Sequence, residues 1–225
     1  MRLPFAKYGL AELFLATVVC GLAGVLAAWL AWPAAVVPLA LWLWVLWFFR
    51  DPQRQPPAEA GVFLSPADGR VTDITAVGTD GELGLEGLRI GIFMSVFDVH
   101  VNRSPCAGVV ERIDRHRGTF LDARDPAAWG RNESATIRLG CARNGEVHPV
   151  IVRQVAGLVA RRIVTDAKIA QEVVPGQRIG MIKFGSRVEL AVARSMVGEV
   201  RVQVGQTVRA GQTVLMTEPR KDGYA

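Results

Sequence analysis

Gly185-Ser186, inside Lys183-Phe184-Gly185-Ser186-Arg187, joins two residue types that together can break a peptide bond. In a tight turn a serine hydroxyl reaches the carbonyl that precedes it, and attack there moves the acyl group from nitrogen to oxygen. Glycine suits that geometry because it accepts backbone angles that other residues avoid and leaves its carbonyl uncovered. The hydroxyl is inert until a base stands within hydrogen-bond reach. His100 can serve as that base, with Asp68 or Asp98 to fix its tautomer and stabilise its cation. These groups lie on three separate loops, as expected of a site that the fold assembles.

Other chemistries find little support. His100, His116 and His148 are far apart and lack ligand-spaced partners, so no metal is expected. There is no glycine-rich phosphate loop and no dinucleotide fingerprint. Phe184-Gly185-Ser186-Arg187-Val188 also lacks the second glycine of a nucleophile elbow. Cys20, Cys106 and Cys141 have no metal spacing and read as reduced thiols in a reducing compartment. The net charge of +5 comes from scattered arginines rather than basic runs interleaved with aromatics. That argues against nucleic acid as a partner and fits attraction to anionic lipid headgroups.

The elements that must position these residues fall into two compositions. Between residues 9 and 49 the only charge is Glu12, and five of the six tryptophans lie there. Residues 9–31 are long enough to span a bilayer, which takes about 20 apolar residues as a helix. Residues 34–49 give a shorter second span after the break at Trp32-Pro33. Arg2 and Lys7 flank one end, Arg50 and Arg54 the other, and the break carries no charge, which predicts a hairpin with both ends in the cytoplasm, with a single long tilted span as the alternative. The expected organisation is a membrane anchor over 1–50, a Pro-rich linker over 51–60 and a folded domain over 61–225. Short β-branched runs punctuated by glycine, at 71–77, 88–94, 108–115, 134–139, 147–155, 188–192, 198–204 and 213–216, predict a mostly antiparallel β domain. Residues 156–163 and 167–172 read as short helix or turn. A quasi-repeat links Val173–Gly180 with Val202–Leu215; its V-x-V-G-x-x-V-x-x-G spacing resembles the lipoyl and biotinyl barrel-sandwich. No lysine occupies a hairpin tip there, so a swinging-arm carrier is not expected.

Four ordered motifs now stand together: Ser65-Pro66-Ala67-Asp68-Gly69, Phe97-Asp98-Val99-His100-Val101-Asn102-Arg103-Ser104-Pro105, Asn132-Glu133, and the Gly185-Ser186 segment. With them the chain resembles the phosphatidylserine decarboxylases of the short bacterial type over most of residues 50–217. The resemblance implies a proenzyme that cuts itself between Gly185 and Ser186 into chains 1–185 and 186–225, which remain together as a heterodimer. It implies an ester formed by Ser186, then elimination and hydrolysis to a covalent pyruvoyl group, with no metal. It further implies a Schiff base between that ketone and the serine amine of phosphatidylserine, loss of CO₂, and release of phosphatidylethanolamine. Asp68 and His100 would activate Ser186, and His100 would also meet the substrate carboxylate or deliver a proton. Arg103 stands where longer members carry a second histidine and is a candidate for substrate binding, as are Asn132 and Glu133. Phe184 replaces a leucine of the motif, and Arg187 replaces a small hydroxyl residue. The expected location is the inner membrane with the catalytic domain in the cytoplasm; a homo-oligomer is left open. Two alternatives are a non-enzymatic membrane adaptor with a lipoyl-like barrel and a pyruvoyl-dependent decarboxylase of a soluble amino acid. The adaptor expects a long heptad hairpin, which residues 50–225 do not contain, and the apolar hairpin argues against a soluble substrate.

Overall fold

The computed structural model describes residues 4–79, 86–126, 129–158, 162–183 and 185–219. The chain divides into two compact units, Met1–Gln53 and Arg54–Ala225, so Arg54, read from sequence as linker, already belongs to the second.

In the first unit, helix α1 (Leu10–Leu30) is followed by α2 (Val36–Phe48). Pro33, near the start of a short 3-10 turn at Trp32–Ala35, suits the break between them, since it cannot continue α1. The helices run antiparallel: Gly24 faces Pro38, Trp42 Nε1 donates to Thr17 Oγ1 at 3.0 Å, and Phe5 bridges Arg50. Among the described residues one helical run, Lys7–Leu30, is long and apolar enough to cross a membrane; Trp32–Phe48 is a shorter apolar run.

The second unit is mostly β. Its strands are β1 (Val62–Leu64), β2 (Gly69–Val77), β3 (Gly87–Met94), β4 (Val101–Arg103), β5 (Gly108–His116), β6 (Ser134–Arg143), β7 (Glu146–Val155), β8 (Arg162–Thr165), β9 (Glu172–Val173), β10 (Arg178–Lys183), β11 (Ser186–Ala193), β12 (Thr207–Val208) and β13 (Val214–Thr217). Eight form one sheet in the order β12-β2-β3-β11-β7-β6-β5-β9; β4-β10-β8 and β1-β13 form two smaller ones. All pairs are antiparallel. One face of the large sheet carries Ile90, Ile92, Ile137, Leu139, Val150, Val152, Val188, Leu190 and Val192. Ile163, Ile179 and Ile182 from the three-stranded sheet, with Phe63, Leu215 and Met216 from the two-stranded one, join them in a single core. Each large side chain so buried contributes about 1.5–3 kcal/mol. β11 lies inside the sheet, hydrogen-bonded to β3 on one side and β7 on the other.

Several local expectations are revised. Residues 198–204 form no strand beyond a single bridge of Val200 to Met216. Of residues 156–163, read as short helix or turn, Ala156–Leu158 is irregular, residues 159–161 lie outside the described ones, and β8 begins at Arg162. Residues 167–172 make turns leading into β9. The quasi-repeat places its glycine turns back to back: a Cβ on Gly211 would lie 3.1 Å from Gly176 Cα. Cys106 and Cys141, 35 residues apart, meet in the core with Sγ atoms 2.8 Å apart. Their shared hydrogen bond, then burial, pushes the Cys106 thiol well above its usual pKa.

Candidate active site

Register brings three of the four motifs to one end of the large sheet, and Asn102 of the fourth reaches that end from β4 through Met94. Across it, Arg70, Phe93, Arg187, Val155 and Ser134 are successive Cα partners. The next row outward therefore holds Gly69, Met94, Ser186, Ala156 and Glu133. Motifs far apart in sequence become neighbours because five strands begin or end at this row.

Gly185 has φ +56°, a left-handed conformation that only glycine adopts without strain. Ser186, the first residue of β11, is fully buried, and its hydroxyl donates to Met94 Sδ at 3.6 Å. A thioether is a weak acceptor, so little binds the hydroxyl in place. Asn102 Nδ2 approaches the same sulfur at 3.8 Å, and Gln154 Nε2 donates to Asn102 Oδ1 at 2.8 Å.

His100 is fully buried beside β10, the strand that leads into Gly185-Ser186: its carbonyl accepts from Ile182 N at 3.4 Å. Its Nδ1 lies 2.9 Å from the main-chain carbonyl of Asp98. A carbonyl only accepts, so Nδ1 carries a proton, and in the neutral form of the ring the basic lone pair lies on Nε2. The tautomer is thus held by a peptide oxygen, where the sequence pointed to a carboxylate. The Asp98 carboxylate instead accepts from Ser95 N at 2.7 Å and Ser95 Oγ at 2.8 Å, closing the turn before β4. Asp68 is buried in a two-pronged ion pair with Arg54, whose Nη2 donates to Oδ2 at 2.7 Å, and Ala210 N donates to Oδ1 at 2.8 Å.

Arg103 is buried at the far end of β4, its Nη1 donating to the Gly176 carbonyl at 3.0 Å and its Cδ packed against Gly211. Asn132 has every side-chain site occupied. Its Oδ1 accepts from Thr119 Oγ1 and Leu121 N, and its Nδ2 donates to the carbonyls of Leu121 and Ala156. Glu133 joins through its main chain, to Thr119 and Ala156.

Gly157 was not foreseen. A Cβ there would overlap the Gly185 carbonyl oxygen, and Ala123 closes the same spot. Asn132, by tying down Ala156, fixes the backbone on which Gly157 lies. Gly157→Ala is therefore expected to displace the Gly185 carbonyl, to cost about 1–3 kcal/mol, and to slow cleavage at the pair. Thermal melting combined with intact-mass measurement reads both effects.

A left-handed, half-buried Gly185 directly before a buried Ser186, with a tautomer-fixed histidine beside the strand that precedes them, forms one site on a β scaffold. The phosphatidylserine decarboxylase family model matches residues 41–216. The chain is 41% identical over 212 residues to a phosphatidylserine decarboxylase proenzyme of Rhodopirellula baltica, covering 94% of this chain and 87% of that protein. Proenzymes of the same description from Symbiobacterium thermophilum (44% identity; 87% of this chain, 89% of that one) and Salinibacter ruber (45%; 84% and 82%) are similarly close. The chain belongs to the phosphatidylserine decarboxylase family.

Proposed function

We propose that this chain is a proenzyme that cuts itself between Gly185 and Ser186 and then, as chains 1–185 and 186–225, converts phosphatidylserine to phosphatidylethanolamine. The observation that carries the reading is the left-handed Gly185 directly before a buried, weakly held Ser186 hydroxyl, at the row where the family motifs converge.

Ser186 Oγ gives up its proton and bonds to the Gly185 carbonyl carbon; the C–N bond breaks, and the nitrogen of residue 186 takes a proton. Loss of the Cα proton of residue 186 then breaks the Cβ–Oγ bond and frees a chain ending in the Gly185 carboxylate. The unsaturated residue left behind hydrolyses to a ketone with loss of ammonia. His100 Nε2 is the base for the first step. Asp68, locked by Arg54, holds the Asp68-Gly69 turn beside Met94, so its part in maturation is to position that row. Asp98 sets the His100 tautomer through its carbonyl. Asn132 shapes the site from behind, which fits its burial and filled hydrogen bonds better than direct contact with substrate; Arg103 and Glu133 remain candidates for substrate binding.

The surroundings fit a pyruvoyl group at residue 186. The hydroxyl's neighbour is a thioether rather than a charge, so replacing it by a small ketone leaves no strong donor or acceptor stranded. Once formed, that ketone supplies the electron sink for loss of the carboxyl group. Enclosure by Met94, Ala156 and Gly157 excludes water, and His100 is the group able to return a proton to the product. We read the apolar helices as a hairpin in the inner membrane with the domain in the cytoplasm, supported by charges at both ends and none at the turn. The back-to-back glycine turns support a lipoyl-like barrel-sandwich element.

Intact-mass measurement of the purified protein, with assay of CO₂ release from phosphatidylserine in mixed micelles, tests the reading. Two chains are expected, 1–185 and 186–225, the second without a free amino terminus. A single uncut chain with full decarboxylase activity would overturn it.

A further inference from the structure

The proposed maturation makes residue 186 the end of a chain, and chain ends fray unless tied down. Among the described residues, the side-chain hydrogen bond of residue 186 is the weak one to Met94, and conversion to a ketone removes that donor as well as its amide. Arg187 then becomes the first intact amino acid of the chain that carries the ketone.

Arg187 is held in a way its position alone does not require. Its main chain pairs with Phe93 on β3 and Val155 on β7. Its side chain is fully buried on the face of the sheet opposite the main core, and crosses β3 to reach β2. It crosses at Gly91, where a Cβ would overlap Nη2. On β2 a bulge sets Thr72 and Asp73 together opposite Gly91, so both side chains turn toward the guanidinium. Nη1 donates to Thr72 Oγ1 at 2.5 Å, Nη2 meets Asp73 Oδ2 at 2.7 Å, and Nε donates to Glu189 Oε1 at 2.8 Å. The Trp129 ring covers the group, its centroid 3.5 Å from the guanidinium carbon. Trp129 is itself tethered, its Nε1 donating to the Ala123 carbonyl at 3.0 Å, and Ala123 borders Gly157 and the Gly185 carbonyl. Buried ion pairs are weak devices for stability, since desolvation offsets most of their attraction. What they fix well is register and direction.

We propose that Arg187 is a positioning residue for decarboxylation: clamped by Asp73, Glu189 and Thr72 and covered by Trp129, it holds the new chain end, and with it the ketone at residue 186, in place after the cut. This rests on the maturation described above. Before the cut, the continuous backbone through Gly185 shares the task. After it, Arg187 is the nearest anchored side chain.

The test uses the full-length protein in detergent, with Arg187→Lys, Trp129→Leu and Trp129→Phe. For each, intact mass gives the fraction cut, titration with a hydrazine reagent gives the ketone content, and kcat and KM for phosphatidylserine are expressed per ketone. Arg187→Lys keeps the charge but loses the planar fork. It is expected to cut itself and to lose about 10–100-fold in kcat per ketone, the cost of a small misplacement of the reacting group, with KM little changed. Trp129→Leu leaves all the charges paired and carries the test if Arg187→Lys does not fold; it is expected to show the same pattern, and Trp129→Phe to recover part of the loss. Parental kcat per ketone in Arg187→Lys or Trp129→Leu overturns the proposal. So does a defect confined to KM, or equal defects in the two Trp129 variants. A parent protein that is uncut and free of ketone would instead overturn the maturation reading itself.

Discussion

Ser186→Ala is expected to remain one uncut chain with no measurable decarboxylation, a loss at least as large as the roughly 10⁶-fold acceleration typical of enzymes. The substitution removes the proposed nucleophile and the only source of the ketone together. It should not unfold the protein. The deleted oxygen leaves behind only Met94 Sδ, 3.6 Å away, and a thioether is hardly penalised by losing a donor. A Ser186→Ala chain that melts like the parent and stays uncut separates chemistry from folding. Cleavage of that variant at the same bond, read by intact mass, would remove the central step.

His100→Asn is expected to slow self-cleavage by about 10²–10⁴-fold, the range for loss of a general base. Asparagine is chosen over alanine because its Nδ2 can take over the hydrogen bond of the imidazole Nδ1 to the Asp98 carbonyl. The fully buried position then keeps a donor for that oxygen while losing the basic nitrogen. Any fraction that matures should contain the ketone and still turn over poorly, since no group remains to return the proton. Time courses of cleavage by gel, followed by turnover measured on the matured fraction, check both. Parental rates in both assays would make His100 structural.

The β character of the domain was legible because its long strands alternate or run apolar between glycines. The short strands were not. Val101–Arg103 sits inside a motif valued for its chemistry, and Arg178–Lys183 inside a repeat valued for its turns. Val101–Arg103 is a strand because it finds Arg178–Lys183, which in turn pairs with β8 on its other side. Conversely, residues 198–204 have the right composition and touch β13 through Gly198, Glu199 and Arg201, yet make no more than a single bridge, Val200 to Met216. At the site, Ser186, His100 and Asp68 could be picked out by residue type and motif. Their supports could not. Arg54 looked like linker until Asp68 was found beneath it. Gly157 matters through a close approach to a residue 28 positions away, which leaves no local trace. Arg187 looked like a departure from a motif, and its purpose depends on a bulge at Thr72 and a missing side chain at Gly91.

The placement of β11 between β3 and β7 bears on the life history of the molecule. Every ladder bond of this strand is made to residues before Gly185, and β12 and β13 likewise pair with β2 and β1. The uncut chain finds these partners intramolecularly, at high effective concentration. Once cut as proposed, the small fragment would have the middle of another chain's sheet as its home, and reassembly from the unfolded state would require a bimolecular encounter. Folding thus belongs to the precursor. On the proposed maturation, the cut protein would persist by the slowness of its unfolding rather than by ready return from it, and the same scission that would create its reactive ketone would also erase its route back to the fold.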